Sequence, residues 1–271
     1  MLSAVRLAAV RGLLLDLDGV VYVGGAPLPG ALDAIARLRA ANMPLRFVTN
    51  TTTKPRRRLV ADLAGLGLEV DPADLFTPAS LACDALRASG KRPFLLIHPD
   101  LAEDFELEPG EDAVVIGDAR EAFTYDNLNR AFRLIHEGAA FFALARNRNF
   151  LDRDRKLSLD VGGFVAALEY AAETPAHVFG KPSADFFLGA VSAMGIAPAQ
   201  AVMIGDDAEA DVGGALAAGL RGILVRTGKY RPGHEGRISP PPTLVADDLA
   251  QAVDWLLAQA SDRTPSGATL R

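Results

Sequence analysis

The sequence predicts an α/β fold, a doubly wound parallel sheet interrupted by a second α/β unit, and three observations carry that prediction. Short apolar runs alternate with segments of helical periodicity along the chain. Several of those runs end in small polar or acidic residues, the pattern of parallel strands whose carboxyl tips open into a site. The alternation also restarts in mid-chain, between Pro78 and Thr174-Pro175, which marks an insertion.

The bulk properties narrow the function classes. With 271 residues, 49% of them hydrophobic, the chain can bury a substantial core. A net charge of -6, from 28 basic and 34 acidic residues, argues against nucleic acid as a partner, although a small anion can still bind locally. Cys83 stands alone, so there is no internal disulfide framework and no cysteine-rich zinc site; a buried thiol in a reducing compartment is expected. The opening residues 1–11 carry arginines and no acid, as a weak targeting peptide would, yet their apolar part runs straight into the first strand. No stretch reaches the length of a membrane span, so a soluble, cytoplasmic protein with no membrane partner is expected.

In order, Leu13-Leu14-Leu15-Asp16-Leu17-Asp18-Gly19 reads as a buried strand that ends in two carboxylates. Val20 to Pro27, with Gly24-Gly25, reads as a hairpin beside that tip. Ala31, Leu32, Ile35, Leu38 and Ala41 recur at helical spacing, and Leu45 to Val48 forms a second strand ending in Thr49-Asn50-Thr51-Thr52. A helix with Leu59 and Leu63 follows, its Arg56-Arg57-Arg58 run being a solvated face. The second unit comprises a helix (79–88), strands at 94–97 and 113–116, a helix (128–137), a strand (140–144) and a helix (163–172). The mixed-charge stretch 146–156 reads as a loop. The first unit resumes with Gly180-Lys181-Pro182, a helix (184–194), the strand Ala201 to Ile204 ending in Gly205-Asp206-Asp207 with Asp211 beyond, a helix (212–218), and a strand (222–225). The loop Thr227-Gly228-Lys229-Tyr230 and a last helix (247–258) complete the pattern. The domains are thus residues 1–76 with 178–262, an insert at 77–177, and a frayed tail at 263–271.

Acids at two strand tips, a Thr-Asn tip and a lysine loop suggest one chemistry. Facing carboxylates repel unless a cation sits among them, and hard oxygen donors suit Mg²⁺. A metal-bound carboxylate beside a second one suits a nucleophile and an acid/base, a route through an aspartyl-phosphate. His98, His136, His177 and His234 have no ligand-like spacing.

These residues resemble the haloacid dehalogenase-like phosphatases. Asp16-Leu17-Asp18-Gly19, Thr49-Asn50, Gly180-Lys181-Pro182, and Gly205-Asp206-Asp207 with Asp211 match its four motifs in order. The insert resembles the α/β cap of the NagD-like subgroup, and four longer segments around residues 46–52, 164–171, 201–207 and 222–230 are similar to one branch of it. The resemblance implies a Rossmann-like core with an inserted cap and a Mg²⁺-dependent phosphatase acting on a small phosphorylated substrate. It implies that Asp16 is the nucleophile and a metal ligand, that Asp18 is the acid/base and lends the metal its carbonyl, and that Asp206 is the third metal contact. Thr49 and Asn50, with Gly19 and Thr51 beside them, hold the phosphoryl group, while Lys181 balances charge. Asp207 and Asp211 stand behind, orienting the lysine or bound water, and a homodimer through the cap is expected. A phospho-accepting switch and a binding or scaffold protein with little turnover are the competing readings. The substrate itself is not encoded in any motif.

Overall fold

A computed structural model describes residues 10–151 and 156–261. The expectations for residues 1–9, for 152–155 inside the expected loop and for the tail at 263–271 lie outside the described residues. In chain order come β1 (Gly12–Asp16), β2 (Tyr22–Val23), β3 (Ala26–Pro27), α1 (Ala31–Ala40), β4 (Leu45–Val48), α2 (Arg56–Gly65), β5 (Leu75–Phe76) and α3 (Pro78–Ser89). Then follow β6 (Pro93–Leu96), β7 (Ala113–Ile116), α4 (Tyr125–His136), β8 (Ala140–Ala143), β9 (Asn149–Leu151), β10 (Leu157–Leu159), α5 (Val161–Ala172), β11 (His177–Val178) and α6 (Ala184–Ser192). The chain closes with β12 (Ala201–Gly205), a π-helical turn (Ala208–Gly213), α7 (Gly214–Ala217), β13 (Arg221–Val225), β14 (Leu244–Ala246) and α8 (Leu249–Ser261). Two compact units divide the chain: residues up to 47 with those from 190 onward, and residues 48–189. The second unit contains the whole stretch 77–177 expected to be an insert.

In the first unit the strands lie in the order β14-β13-β12-β1-β4. Leu13 to Leu15 and Val202 to Ile204 are fully buried, because parallel strands covered on both faces read as unbroken apolar runs. Ala34, Ile35 and Leu38 of α1 bury against this unit's core, and α1 also meets α8 through the Arg37–Asp254 ion pair at 2.5 Å. Parallel register decides where the chemistry goes: Leu15 pairs with Ile204, so Asp16 and Gly205 leave the sheet side by side at the same end.

The second unit holds a parallel sheet in the order β11-β8-β7-β6. Side chains alternate across it with period two. Val114, Ile116 and Ala143 pack under α4 and α5, while Ala113, Val115 and Leu144 pack with Ala79, Ala82, Cys83 and Leu86 of α3. Cys83 is buried as expected, and burial pushes its thiol up to about 12. A reciprocal cap starts α3: Thr77 Oγ1 accepts from Ser80 N–H, and Ser80 Oγ accepts from Thr77 N–H, both at 3.1 Å. The arginine run on α2 is a solvated face, with Arg57 against Glu103 at 3.2 Å and Arg58 against Asp62 at 2.9 Å.

Several elements depart from the sequence reading. The α4 helix begins at Tyr125, because Thr124 caps it by accepting from Asn127 N–H and its first turn is polar. Asn149–Leu151, inside the stretch 146–156 expected to be a loop, pairs antiparallel with Leu157–Leu159 as β9–β10. The helix after Asp207 opens as a π-helical turn, and β14 joins β13 as an additional edge strand. The first turn of α4 and the π-helical turn carry no clean apolar period.

Candidate active site

In the first unit the site is built at the ends of β1 and β12. Asp16, Asp206 and Asp211 are 7%, 1% and 1% exposed, and each offers a carboxylate oxygen within 4.8 Å of the others. Asp211 reaches this cluster from the π-helical turn because Gly205 leaves it room; a Cβ on Gly205 would overlap the Asp211 side chain. The turn itself is shaped by Asp207, whose Oδ1 accepts from Glu209 N–H at 3.1 Å and Ala210 N–H at 3.0 Å. Asp207 N–H in turn donates to Asp211 Oδ2 at 3.1 Å. Asp207 therefore caps the turn, and Asp211, expected to stand behind the metal contacts, puts a carboxylate oxygen into the cluster itself.

The Asp18 side chain is not in that cluster. It is exposed on the turn that follows β1, where Leu17 C=O accepts from Val21 N–H at 2.9 Å and Gly19 N–H donates to Tyr22 C=O at 2.8 Å. Gly19 has φ 90°, a left-handed conformation that favours glycine, and a Cβ there would strike the Asp206 carboxylate. The tight turn presents Asp18 to solvent at the strand tip. The Gly24-Gly25 hairpin expected beside it forms as the β2–β3 pair.

The sequence names Thr227-Gly228-Lys229-Tyr230 as the loop after β13 but gives it no role in the site. Thr227 Oγ1 donates to Gly19 C=O at 2.5 Å, and Lys229 N–H donates to Asp206 Oδ2 at 2.6 Å. Its signal was positional: another βα loop at the carboxyl end of the same parallel sheet.

In the second unit a separate group of expected residues comes together. Thr49 is 4% exposed, its hydroxyl 3.0 Å from that of Thr51, and Thr51 N–H donates to Thr49 Oγ1 at 3.2 Å. Asn50 bridges to the lysine loop both ways: Lys181 N–H donates to Asn50 Oδ1 at 2.8 Å, and Asn50 Nδ2 donates to Lys181 C=O at 2.9 Å. Lys181 is 5% exposed. Gly180 sits tightly against Leu144 C=O and Asn50, with no room for a Cβ.

An α/β sheet with buried carboxylates at the tips of parallel strands defines an enzyme whose chemistry sits at strand ends. The family model for haloacid dehalogenase-like hydrolases matches residues 13–108, and a second hydrolase model of that superfamily matches residues 178–252. The phospholysine phosphohistidine inorganic pyrophosphate phosphatase of Rattus norvegicus is 43% identical over 262 residues, covering 94% of this chain and 97% of the relative. Haloacid dehalogenase-like hydrolase domain-containing protein 2 of Homo sapiens is 43% identical over 251 residues, covering 92% and 96%. Among solved structures, glycerol phosphate phosphatase from Mycobacterium tuberculosis in complex with magnesium superposes with a TM-score of 0.79 at 28% identity, covering 91% of this chain and 78% of that one. The chain belongs to the haloacid dehalogenase-like hydrolases and is a phosphatase. Among the described residues no helix is long and apolar enough to cross a membrane.

Proposed function

We propose that the protein is a Mg²⁺-dependent phosphatase that passes the phosphoryl group of a small phosphorylated compound first to Asp16 and then to water. The observation that carries this reading is the buried cluster of Asp16, Asp206 and Asp211. Three carboxylates this close repel one another without a counter-charge, and an all-oxygen donor set fits a hard divalent cation. Asp16 and Asp206 would hold it through carboxylates, Asp18 through its backbone carbonyl, and Asp211 directly or through water. Bound there, the cation supplies charge stabilisation for the phosphoryl oxygens.

The chain's own groups do the rest. Asp16 attacks phosphorus, and an acyl phosphate forms as the bond to the leaving atom breaks, an oxygen in a phosphomonoester or pyrophosphate and a nitrogen in a phosphoamidate. Asp18 gives that atom its proton, then takes one from the water that attacks the acyl phosphate, releasing Asp16 and inorganic phosphate. Thr49 and the Asn50 backbone, with Gly19 and Thr51 beside them, hold the phosphoryl oxygens, and Lys181 balances their charge. These last roles rest on motif order.

The substrate class is a phosphomonoester, pyrophosphate or phosphoamidate. The names of the rat relative and of the mycobacterial structure support that range. The insert at 77–177 acts as the cap and pairs two copies into a homodimer, and the lone buried Cys83 suits the cytoplasm. Release of phosphate from an aryl phosphate tests the core of the proposal. It should stop on chelation, return with Mg²⁺, and fall at least about 10³-fold in Asp16→Asn; turnover that survives chelation and Asp16→Asn contradicts it.

A further inference from the structure

The loop after β13 belongs to none of the four motifs, yet it touches two of the strand tips. Three contacts define it. Thr227 Oγ1 donates to the carbonyl of Gly19, the residue after Asp18, at 2.5 Å. Lys229 N–H donates to Asp206 Oδ2 at 2.6 Å. Between them Gly228 has φ 53°, and a Cβ on it would overlap the Asp206 carboxylate and press on Gly19 Cα. The Asp206 carboxylate therefore lies in a slot that Gly19 and Gly228 both keep open, and no larger residue fits at either wall.

The loop is braced from its outer side as well. Tyr230 N–H closes back on Thr227 C=O at 3.1 Å, and Arg231 Nη1 donates to Gly228 C=O at 3.3 Å and to Tyr230 C=O at 2.7 Å. Tyr230 Oη meets Glu235 Oε2 at 3.0 Å. A loop tied down on that side can impose a position on what it touches inward. A carboxylate that accepts a fixed backbone N–H loses rotamer freedom before any cation arrives, which is how outer partners tune a metal ligand. The same reasoning applies to the turn that carries Asp18.

We propose that Thr227-Gly228-Lys229 is a positioning element of the active centre: Gly228 and the Lys229 N–H fix the Asp206 carboxylate for the divalent cation, and the Thr227 hydroxyl fixes the turn that aims Asp18. The loop acts through Asp206, which its N–H holds, and through the turn that carries Asp18. The inference rests on the proposed roles of those two residues.

The two arms of the loop separate experimentally. Calorimetric titration of metal-free protein with Mg²⁺ should show Gly228→Ala binding at least tenfold more weakly than wild type, with thermal unfolding of both metal-free proteins compared as the fold control. In aryl phosphate hydrolysis, Thr227→Val should lose at least fivefold in kcat with KM within twofold, and Thr227→Ser, which keeps the hydroxyl, should recover most of it. If Gly228→Ala does not fold, the Thr227 pair decides. Wild-type Mg²⁺ affinity in a folded Gly228→Ala, or wild-type kcat in Thr227→Val, overturns the proposal. So does equal damage in Thr227→Val and Thr227→Ser, because that is a packing effect and not a hydroxyl effect. A wild-type protein that binds no Mg²⁺ overturns the reading beneath it, and this one with it.

Discussion

Asp160 shows how one carboxylate outside the site can work against the fold while serving it. It caps α5, its Oδ1 accepting from Val161 N–H at 2.7 Å, but it is only 8% exposed. Burial raises its pKa above the usual carboxylate range, against the lowering effect of the Val161 N–H and the Asn147 side chain. A raised folded value means that the folded state holds the proton more tightly than the unfolded chain. The associated stability is full at acid pH and is lost as pH rises through the folded value. Asp160→Asn keeps an acceptor for the cap and removes the buried charge. It should therefore melt higher than wild type at pH 7 and lose that advantage in acid, where Asp160 is already neutral. Asp160→Ala loses the cap and should cost about 1 kcal/mol. Melting curves across pH check this, and a lower midpoint for Asp160→Asn at pH 7 contradicts it. At this scale the site was half legible. Asp16 and Asp206 stand at strand ends, which apolar runs reveal directly. The place of Asp211 depends on the π-helical turn and on the room at Gly205, and neither leaves a period in the sequence.

At the scale of elements, Asn50 and Lys181 illustrate what a strand tip can anchor across a long stretch of chain. The Asn50 side chain closes on the Lys181 peptide as both donor and acceptor, at 2.9 and 2.8 Å. Asn50→Asp keeps the acceptor but sets a second oxygen against the Lys181 carbonyl. It should destabilise the protein by about 1–3 kcal/mol, measured by chemical denaturation, and should lower kcat because the lysine loop is released. A variant as stable as wild type would show that the bridge holds nothing. The alternation of strands and helices was readable because the central strands β1, β7 and β12 are buried along their length and so are apolar runs. The β9–β10 pair was not, since Leu157 and Leu159 are 71% and 62% exposed and sit among charged residues. Strands with so little burial are weakly specified by a hydrophobic pattern. The role of the loop after β13 was missed for a different reason: its contacts run through a backbone N–H, a hydroxyl and the absence of a Cβ.

At the scale of the whole molecule, the βα pattern restarts near residue 77 in the sequence, whereas the compact units divide after residues 47 and 189; the second of them holds the β11-β8-β7-β6 sheet with a core on each of its faces. Family membership follows from relatives that match nearly end to end, and the phosphatase class follows with it. The choice of substrate does not, because two relatives of equal identity carry different names and only one of those names states a substrate. The proposed chemistry runs through Asp16, and that step can be caught. With an aryl phosphate, whose phenolate leaves without the proton Asp18 would give, Asp18→Asn lacks only the base of the second half, so the acyl phosphate should accumulate when this substrate and Mg²⁺ are added. Acid quenching followed by borohydride reduction converts an aspartyl-phosphate to homoserine, and peptide mass spectrometry then reads the position. Homoserine at position 16, absent without Mg²⁺ and absent from Asp16→Asn, is the predicted result. Phosphate release by the wild-type protein with no adduct in Asp18→Asn, or with the adduct on another residue, would contradict it.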